Sequence, residues 1–422
     1  MGLEVCRSDM EMCHRCSACK FIPLEKVKGW RHAYACPSIA RYDFHAYSGG
    51  GRLAMALAML EGRLEYSEAL LDVVYNCQMC GACDISCKYA MDMEVLEPIN
   101  EFRIKCVEDG QTLPRLDGVI ACLRKEGAMI AGSKAKRNEW AGDLEVKDIT
   151  EKKAKVIYYA GCRTSFDKEM WKVARSTVTL LEKAGVDLAI AGRNETCCGG
   201  RAYHMGYQGD SLRQAKANAD LFRKSGAELL VTGCSECYHT FKVLYDKFGM
   251  NLGVEVLHST QYLNRLIKEG RLRPSKNVSA TITYHDPCHL GRLGEPYVHW
   301  KGERVPGHMY RFDPPKIYRR GTYGIYEPPR DVLKSIPGVK IVEMDRTREY
   351  AWCCGAGGGV KESNPEFATW SAGERVEEAE STGADALVSA CPGCEKNFSD
   401  AVKEHQSGFK IYDVVELLEK AI

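Results

Sequence analysis

Apolar positions along the chain change their period twice. Over residues 52–60, 67–75 and 95–107 they recur at helical spacing. Pro98 falls in the first turn of the third stretch, where proline is tolerated. No strong strand pattern occurs before about residue 120. From Lys125 to Lys155 the chain turns polar, basic and glycine-containing (Gly132-Ser133-Lys134-Ala135-Lys136-Arg137-Asn138), which predicts a linker with solvated charges. At Lys155 short apolar runs begin. Residues 156–159, 186–190, 228–231 and 254–257 read as strands, alternating with helices over 168–184, 211–225 and 260–268. The same alternation returns with strands over 280–284, 339–344, 386–388 and 409–412. The predicted fold is an α+β multidomain chain. An all-α N-terminal domain covers 1–124 and a linker 125–154. A duplicated α/β domain with mostly parallel sheets follows, over 155–275 and 276–422.

Composition narrows the function classes. Hydrophobic residues make up 45% and charged residues 27%, ordinary for a globular protein, and the formal net charge of +1 gives no field directed at nucleic acid. The longest apolar run, residues 53–60, ends at Glu61, far short of the about 20 residues a membrane span needs. The first residues, Met1-Gly2-Leu3-Glu4-Val5-Cys6-Arg7, contain no apolar signal region. The expected location is therefore the cytoplasm, with any membrane association made through a partner. Thiols stay reduced there, so a chain with 21 cysteines is expected to ligate metal rather than form disulfides.

Eighteen of those cysteines fall into four blocks. Two C-x2-C-x2-C runs, Cys13-Cys16-Cys19 and Cys77-Cys80-Cys83, are each followed by a further cysteine, Cys36 and Cys87. Such a run wraps three thiolates around a cubane [4Fe–4S] cluster, and in two-cluster ferredoxins the fourth ligand comes from the other run. By that rule one cubane takes Cys13, Cys16, Cys19 and Cys87, and the other takes Cys36, Cys77, Cys80 and Cys83. Pro37 after Cys36 fits the pattern. Cys36, however, lies 17 positions beyond Cys19, and Lys88 stands where a proline is usual after Cys87. Zinc is the competing ligand set, but zinc ribbons use paired C-x2-C rather than triplets.

The remaining ten cysteines repeat one longer pattern. Cys162, Cys197-Cys198-Gly199 and Cys234-x2-Cys237 form the first copy, and Cys288, Cys353-Cys354-Gly355 and Cys391-x2-Cys394 the second. The gap from Cys-Cys to C-x2-C is 35 residues in one copy and 36 in the other. The gap before Cys-Cys is 34 in the first and 64 in the second, so about residues 293–325 are an insertion. Its aromatic and basic residues, among them Trp300, Tyr310, Phe312, Tyr318 and Arg320, suit a substrate entry or partner surface. A surface loop without function is the other reading. Each C-x2-C follows a strand and opens a helix, where the helix dipole favours thiolates. A pair of thioredoxin-like dithiols, Cys234/Cys237 and Cys391/Cys394, would leave the other six cysteines unexplained.

The repeated pattern, led in its second copy by Tyr284-His285-Asp286-Pro287-Cys288-His289-Leu290-Gly291-Arg292, resembles the cysteine-rich domain of heterodisulfide reductases. The two ferredoxin-type runs ahead of it resemble the fused catalytic subunit of that family. The resemblance also extends to subunits of anaerobic benzoyl-CoA-reductase-type complexes, sulfate-reduction electron carriers, and glycolate or lactate oxidase iron–sulfur subunits. It implies two non-cubane [4Fe–4S] clusters besides the two cubanes. Cys162, Cys197, Cys198, Cys234 and Cys237 would hold one, and Cys288, Cys353, Cys354, Cys391 and Cys394 the other. It further implies an anaerobic oxidoreductase subunit that passes electrons between the cubanes and clusters that split a disulfide. The implied partner is a flavin-containing or ferredoxin-type electron-transfer subunit. An alternative is a relay without its own substrate, serving a separate catalytic subunit. Disulfide reduction consumes protons, which makes His285 or His289 a candidate donor beside the cysteines; His204 and His239 also neighbour ligands. Cys6, Cys106 and Cys122 fit no block and read as buried free thiols.

Overall fold

A computed structural model describes residues 2–308 and 311–422; Met1 of the N-terminal stretch and Tyr310 of the insertion lie outside the described residues. The N-terminal region is helical. Its longer helices span Gly49–Leu60, Glu68–Tyr75, Ala82–Met91, Leu96–Glu108 and Pro114–Glu126. Ser48 and Ser67 cap the first two, each side-chain oxygen accepting from a backbone N–H of the first turn. Among the described residues no helix is long and apolar enough to cross a membrane.

Two all-parallel sheets follow. The first contains β1 (Lys147–Asp148), β2 (Val156–Tyr159), β3 (Leu188–Ile190), β4 (Leu229–Thr232) and β5 (Glu255–His258), in the order β1-β3-β2-β4-β5. The second is built from β6 (Ala280–Tyr284), β9 (Val339–Ile341), β10 (Ala386–Ser389) and β11 (Lys410–Asp413), in the order β9-β6-β10-β11. Between β6 and β9 lies a small antiparallel pair, β7 (Glu303–Arg304) with β8 (Phe312–Asp313). Leaving β1 aside, the two sheets share one topology: in each copy the second strand lies beside the first, then come the third and fourth. β2, β4 and β10 are buried along their whole length, as continuous apolar runs in a parallel sheet should be.

The stretch expected to be a solvated linker is packed. It contributes β1 to the edge of the first sheet, paired with β3. Trp140 and Ile149 are buried, and Arg137 is 1% exposed because its guanidinium is bound to Glu195, 58 positions away. The insertion packs against the N-terminal region. Lys316 lies among the rings of Trp300, Phe312 and Tyr318 and 3.5 Å from Asp9, while Arg320 pairs with Asp92.

One residue ties all three regions together. Arg103 is fully buried, and its donors reach the carbonyls of Val74, Tyr75 and Cys77, of His204 in the first copy, and of Gly358 in the second. A buried guanidinium is tolerated only when its N–H groups are satisfied in this way.

Candidate functional site

In open parallel sheets ligands bind beyond the carboxyl ends of the strands, where the strand order reverses. Both copies place their cysteines there. Cys162 follows β2, Cys197 and Cys198 follow β3, and Cys234 opens the helix after β4. Cys288, Cys353 and Cys354, and Cys391 hold the matching places after β6, β9 and β10. Gly199 and Gly355, with φ of 86° and 89°, turn the chain behind each Cys-Cys pair. Their N–H groups donate to Cys197 Sγ (3.3 Å) and Cys353 Sγ (3.4 Å).

The carboxyl ends of the two sheets face each other, so all ten cysteines line one cavity. Within the first copy the thiols touch in the sequence Cys162, Cys197, Cys198, Cys237, Cys234. The second runs Cys288, Cys353, Cys354, Cys394, Cys391. The copies meet where Cys234 contacts Cys391. Hydrogen bonds from these neighbours stabilise several thiolates: Cys197 holds the Cys162 thiol below its usual value, and Cys353 with Cys394 does the same for Cys354.

The two ferredoxin-type runs converge as crossed sets. Cys13, Cys16, Cys19 and Cys87 line a second, smaller cavity, of which only Cys16 is exposed. The N–H of Gly50 donates to Cys19 Sγ at 3.3 Å, and a Cβ at Gly50 would stand 3.3 Å from Cys13 Sγ, so glycine keeps this wall open. Cys36 lies by Cys77 and Cys80, and Cys83 lies by all three, despite the long gap after Cys19. Cys83 also neighbours Cys19, and Cys80 contacts Cys353. The four groups thus form one continuous series. Soft thiolates clustered in fours and fives, with backbone N–H groups aimed at sulfur, are the donor set iron–sulfur clusters require. Cys6 and Cys106 are buried away from these sets, and Cys122 Sγ meets the Ile130 carbonyl.

The histidines separate. His289 lines the central cavity, with Nδ1 3.4 Å from Cys288 Sγ, and the adjacent thiolate raises it to about 9 against the effect of burial. His285 does not line the cavity. It packs on Phe398 and accepts from Arg375 Nε (3.3 Å), and burial beside that cation holds it well below its usual value.

Sequence patterns gave no signal for four other residues of the cavity wall. Met129 and Ile130 come from the stretch expected to be a linker, and Arg201 and Glu236 were not singled out by any pattern. One Glu236 carboxyl oxygen is buried without a partner, and desolvation raises the group to about 7. Arg201 holds Glu362 Oε2 at 2.5 Å while its Nε stays unpartnered. Only the position of Glu236, inside a C-x2-C, hints at a role.

Comparison with known proteins agrees with this geometry. A model of a cysteine-rich domain matches residues 156–242 and again 312–399, and a model of a 4Fe-4S dicluster domain matches residues 9–91. The chain is 31% identical to one subunit of the dihydromethanophenazine:CoB--CoM heterodisulfide reductase of Methanosarcina barkeri, over 98% of this chain and 94% of that one. It is 30% identical to the probable iron-sulfur-binding oxidoreductase FadF of Bacillus subtilis, over 89% of this chain and 50% of that one. It is 29% identical to the EtfAB:quinone oxidoreductase of Syntrophomonas wolfei, over 86% of this chain and 48% of that one.

Proposed function

The chain belongs to the family of that heterodisulfide reductase subunit, and from that premise we propose that it reduces a small disulfide in the cavity between its two sheets. At the coarser level it is an iron–sulfur oxidoreductase subunit that transfers electrons. The observation that carries the finer reading is the single cavity lined by both complete five-cysteine sets. A relay alone would need only a chain of ligand sets. It would not need two sets facing one space walled by unpartnered polar groups.

The residues divide the work between them. Cys13, Cys16, Cys19 and Cys87 would hold one cubane cluster, and Cys36, Cys77, Cys80 and Cys83 the other. Each five-cysteine set would hold a non-cubane [4Fe–4S] cluster. Such clusters supply one-electron transfer and an iron–sulfur surface on which a disulfide can be cleaved. The net reaction is R–S–S–R′ + 2 e⁻ + 2 H⁺ → RSH + R′SH, with electrons from a flavin-containing or ferredoxin-type partner. Exposed Cys16 marks the entry end of the series, and the Cys80–Cys353 contact joins it to the second copy. Arg163 and Arg201 line the cavity paired with Asp167 and Glu362, and Arg201 Nε is left as a donor for an acceptor on the substrate. Glu236 holds a proton facing the cavity, and His289 holds one at Nδ1 against Cys288.

The test is iron and acid-labile sulfide per chain on protein purified without oxygen, followed by electron paramagnetic resonance with added disulfides. About 16 iron atoms and a new paramagnetic signal with a small disulfide are expected. About eight iron atoms would leave only the cubanes filled and end this reading. A full iron complement with no response to any disulfide or thiol would favour the relay serving a separate catalytic subunit.

A further inference from the structure

Three histidines far apart in sequence meet behind the wall of the central cavity. His204 ends the helix Gly200–His204, His239 ends the helix Ser235–His239, and His289 follows Cys288. One ring nitrogen from each lies within 4.8 Å of the other two. The ring centroids lie 5.1 Å (His204–His289), 5.0 Å (His239–His289) and 5.7 Å (His204–His239) apart, the first and third pairs stacked and the second tilted at 59°. All three side chains are buried, at 4–6% exposure.

Packing alone does not account for this group. His204 Nδ1 and His289 Nε2 have no hydrogen-bond partner. An unsatisfied buried polar atom costs about 1–3 kcal/mol, and here two of them are held at the same point. Two of the rings are also fixed from behind. His239 Nδ1 is 2.7 Å from the Leu293 carbonyl, so that nitrogen carries the hydrogen and Nε2 keeps its lone pair. His289 has Nδ1 against Cys288 Sγ, and its Nε2 has no partner. A ring nitrogen tied to a carbonyl or anion with the other left free is how ligating histidines are oriented.

We propose that His204, His239 and His289 bind one divalent ion of the zinc class. Three imidazoles suit such an ion, and a three-ligand set leaves a fourth position open. His204 and His239 also line a small cavity with Asn100, Tyr203, Glu97, Lys247 and Arg319. On the other side Cys288 and Cys391 place negative charge around His289. Of the nearby cations, Lys247 is paired with Glu97, while Arg103 and Arg319 spend donors on carbonyls. Water, hydroxide or a carboxylate could take the fourth position. Where Cys288 holds a cluster, the ion also fixes the His289 hydrogen on Nδ1, pointing at a ligand sulfur. The site itself does not depend on that cluster.

The test uses cluster-loaded protein, purified without oxygen, stripped of loose metal by chelator and titrated with Zn²⁺ or Co²⁺. One equivalent of zinc per chain is expected, with a K-edge absorption spectrum showing nitrogen neighbours at about 2.0–2.1 Å. Zinc affinity should fall at least about tenfold in His239→Ala and in His204→Phe, the second of which keeps the ring stack. Iron content reports that each variant has folded. No zinc uptake by the wild-type protein, or a shell of sulfur at about 2.3 Å, overturns the site, as does full zinc binding by both variants. The wild-type spectrum decides even where a variant loses iron. Cobalt repeats the test in the visible region, where thiolate charge transfer would betray binding to cysteine instead.

Discussion

The two cysteine-rich copies share a topology and a thiol sequence but differ in what stands behind the cysteines. In the first copy Cys162 is backed by Arg137, whose Nη2 lies 3.5 Å from Sγ and whose guanidinium is held by Glu195. In the second, Cys288 is backed by His289. The first C-x2-C encloses Ser235-Glu236, and its helix runs into a π turn at Thr240–Leu244. The second encloses Pro392-Gly393, and its helix runs unbroken over Pro392–Glu404. Only the second touches the N-terminal cysteines, through Cys80 and Cys353. A duplicated unit keeps its ligands because any change there loses the site. The residues behind the ligands are free to diverge, and they have done so by place: one copy takes the contact with the ferredoxin-type set, the other supplies polar groups to the cavity.

The largest effect should follow from removing what joins the copies. Among the described residues, Arg103 is the one side chain bonded to carbonyls of the N-terminal region and of both copies. Arg103→Ala leaves those carbonyls unsatisfied in the interior. A loss of about 3–5 kcal/mol is expected in denaturant unfolding of the cluster-loaded protein, with one transition separating into two. A single unshifted transition would mean that the thiol contacts alone hold the copies together.

A second test acts on one copy only. Glu378, in the second, accepts from the backbone N–H and side chain of Arg346 and from Arg375. Desolvation opposes its charge, but the two guanidinium groups and these hydrogen bonds prevail and hold the carboxyl at about 2. Its folded value lies below its unfolded one, near 4.5. Its contribution is therefore complete above about pH 4.5 and is lost as pH falls from there towards 2. The shift corresponds to about 3 kcal/mol. Acid should open the second copy first, followed by hydrogen exchange in β6, β9, β10 and β11. Glu378→Gln should be less stable at neutral pH and show a flatter acid limb. Simultaneous exchange of both sheets would show that the network does not set the acid limit.

The sequence carried the cysteine sets because cluster ligation demands one residue type at fixed spacing. It carried the strands because β2, β4 and β10 are buried on both faces and therefore read as unbroken apolar runs. What it concealed are partnerships made at long range by residues of unremarkable type. Arg137 looked like part of a solvated basic group because nothing local reveals Glu195. His204, His239 and His289 look unrelated until strand order brings their helices together. Glu236 stands inside the first C-x2-C, and only the facing of two sheets buries it. The insertion showed as aromatic and basic, but which surface those residues cover is a matter of packing.

The insertion also provides the smallest effect, and one that tests whether it serves the comparison at all. It belongs to the second copy, yet its described contacts reach the N-terminal region through Lys316–Asp9, Arg320–Asp92 and Arg304–Glu11. Lys316 is the best enclosed of these cations, 14% exposed with rings on three sides. Cation–π contacts and a partly exposed ion pair are each modest, and Lys316→Ala should cost about 1 kcal/mol. The loss should appear as faster proteolysis or exchange within 293–325 and around Asp9, with iron content and both sheets unchanged. Lys316→Arg should recover most of it, since a guanidinium also stacks on rings. If Lys316→Ala instead changes the rate at which an external donor reduces the clusters while stability holds, the insertion is part of the electron-entry surface rather than a clamp. The asymmetry between the copies would then extend to partner binding.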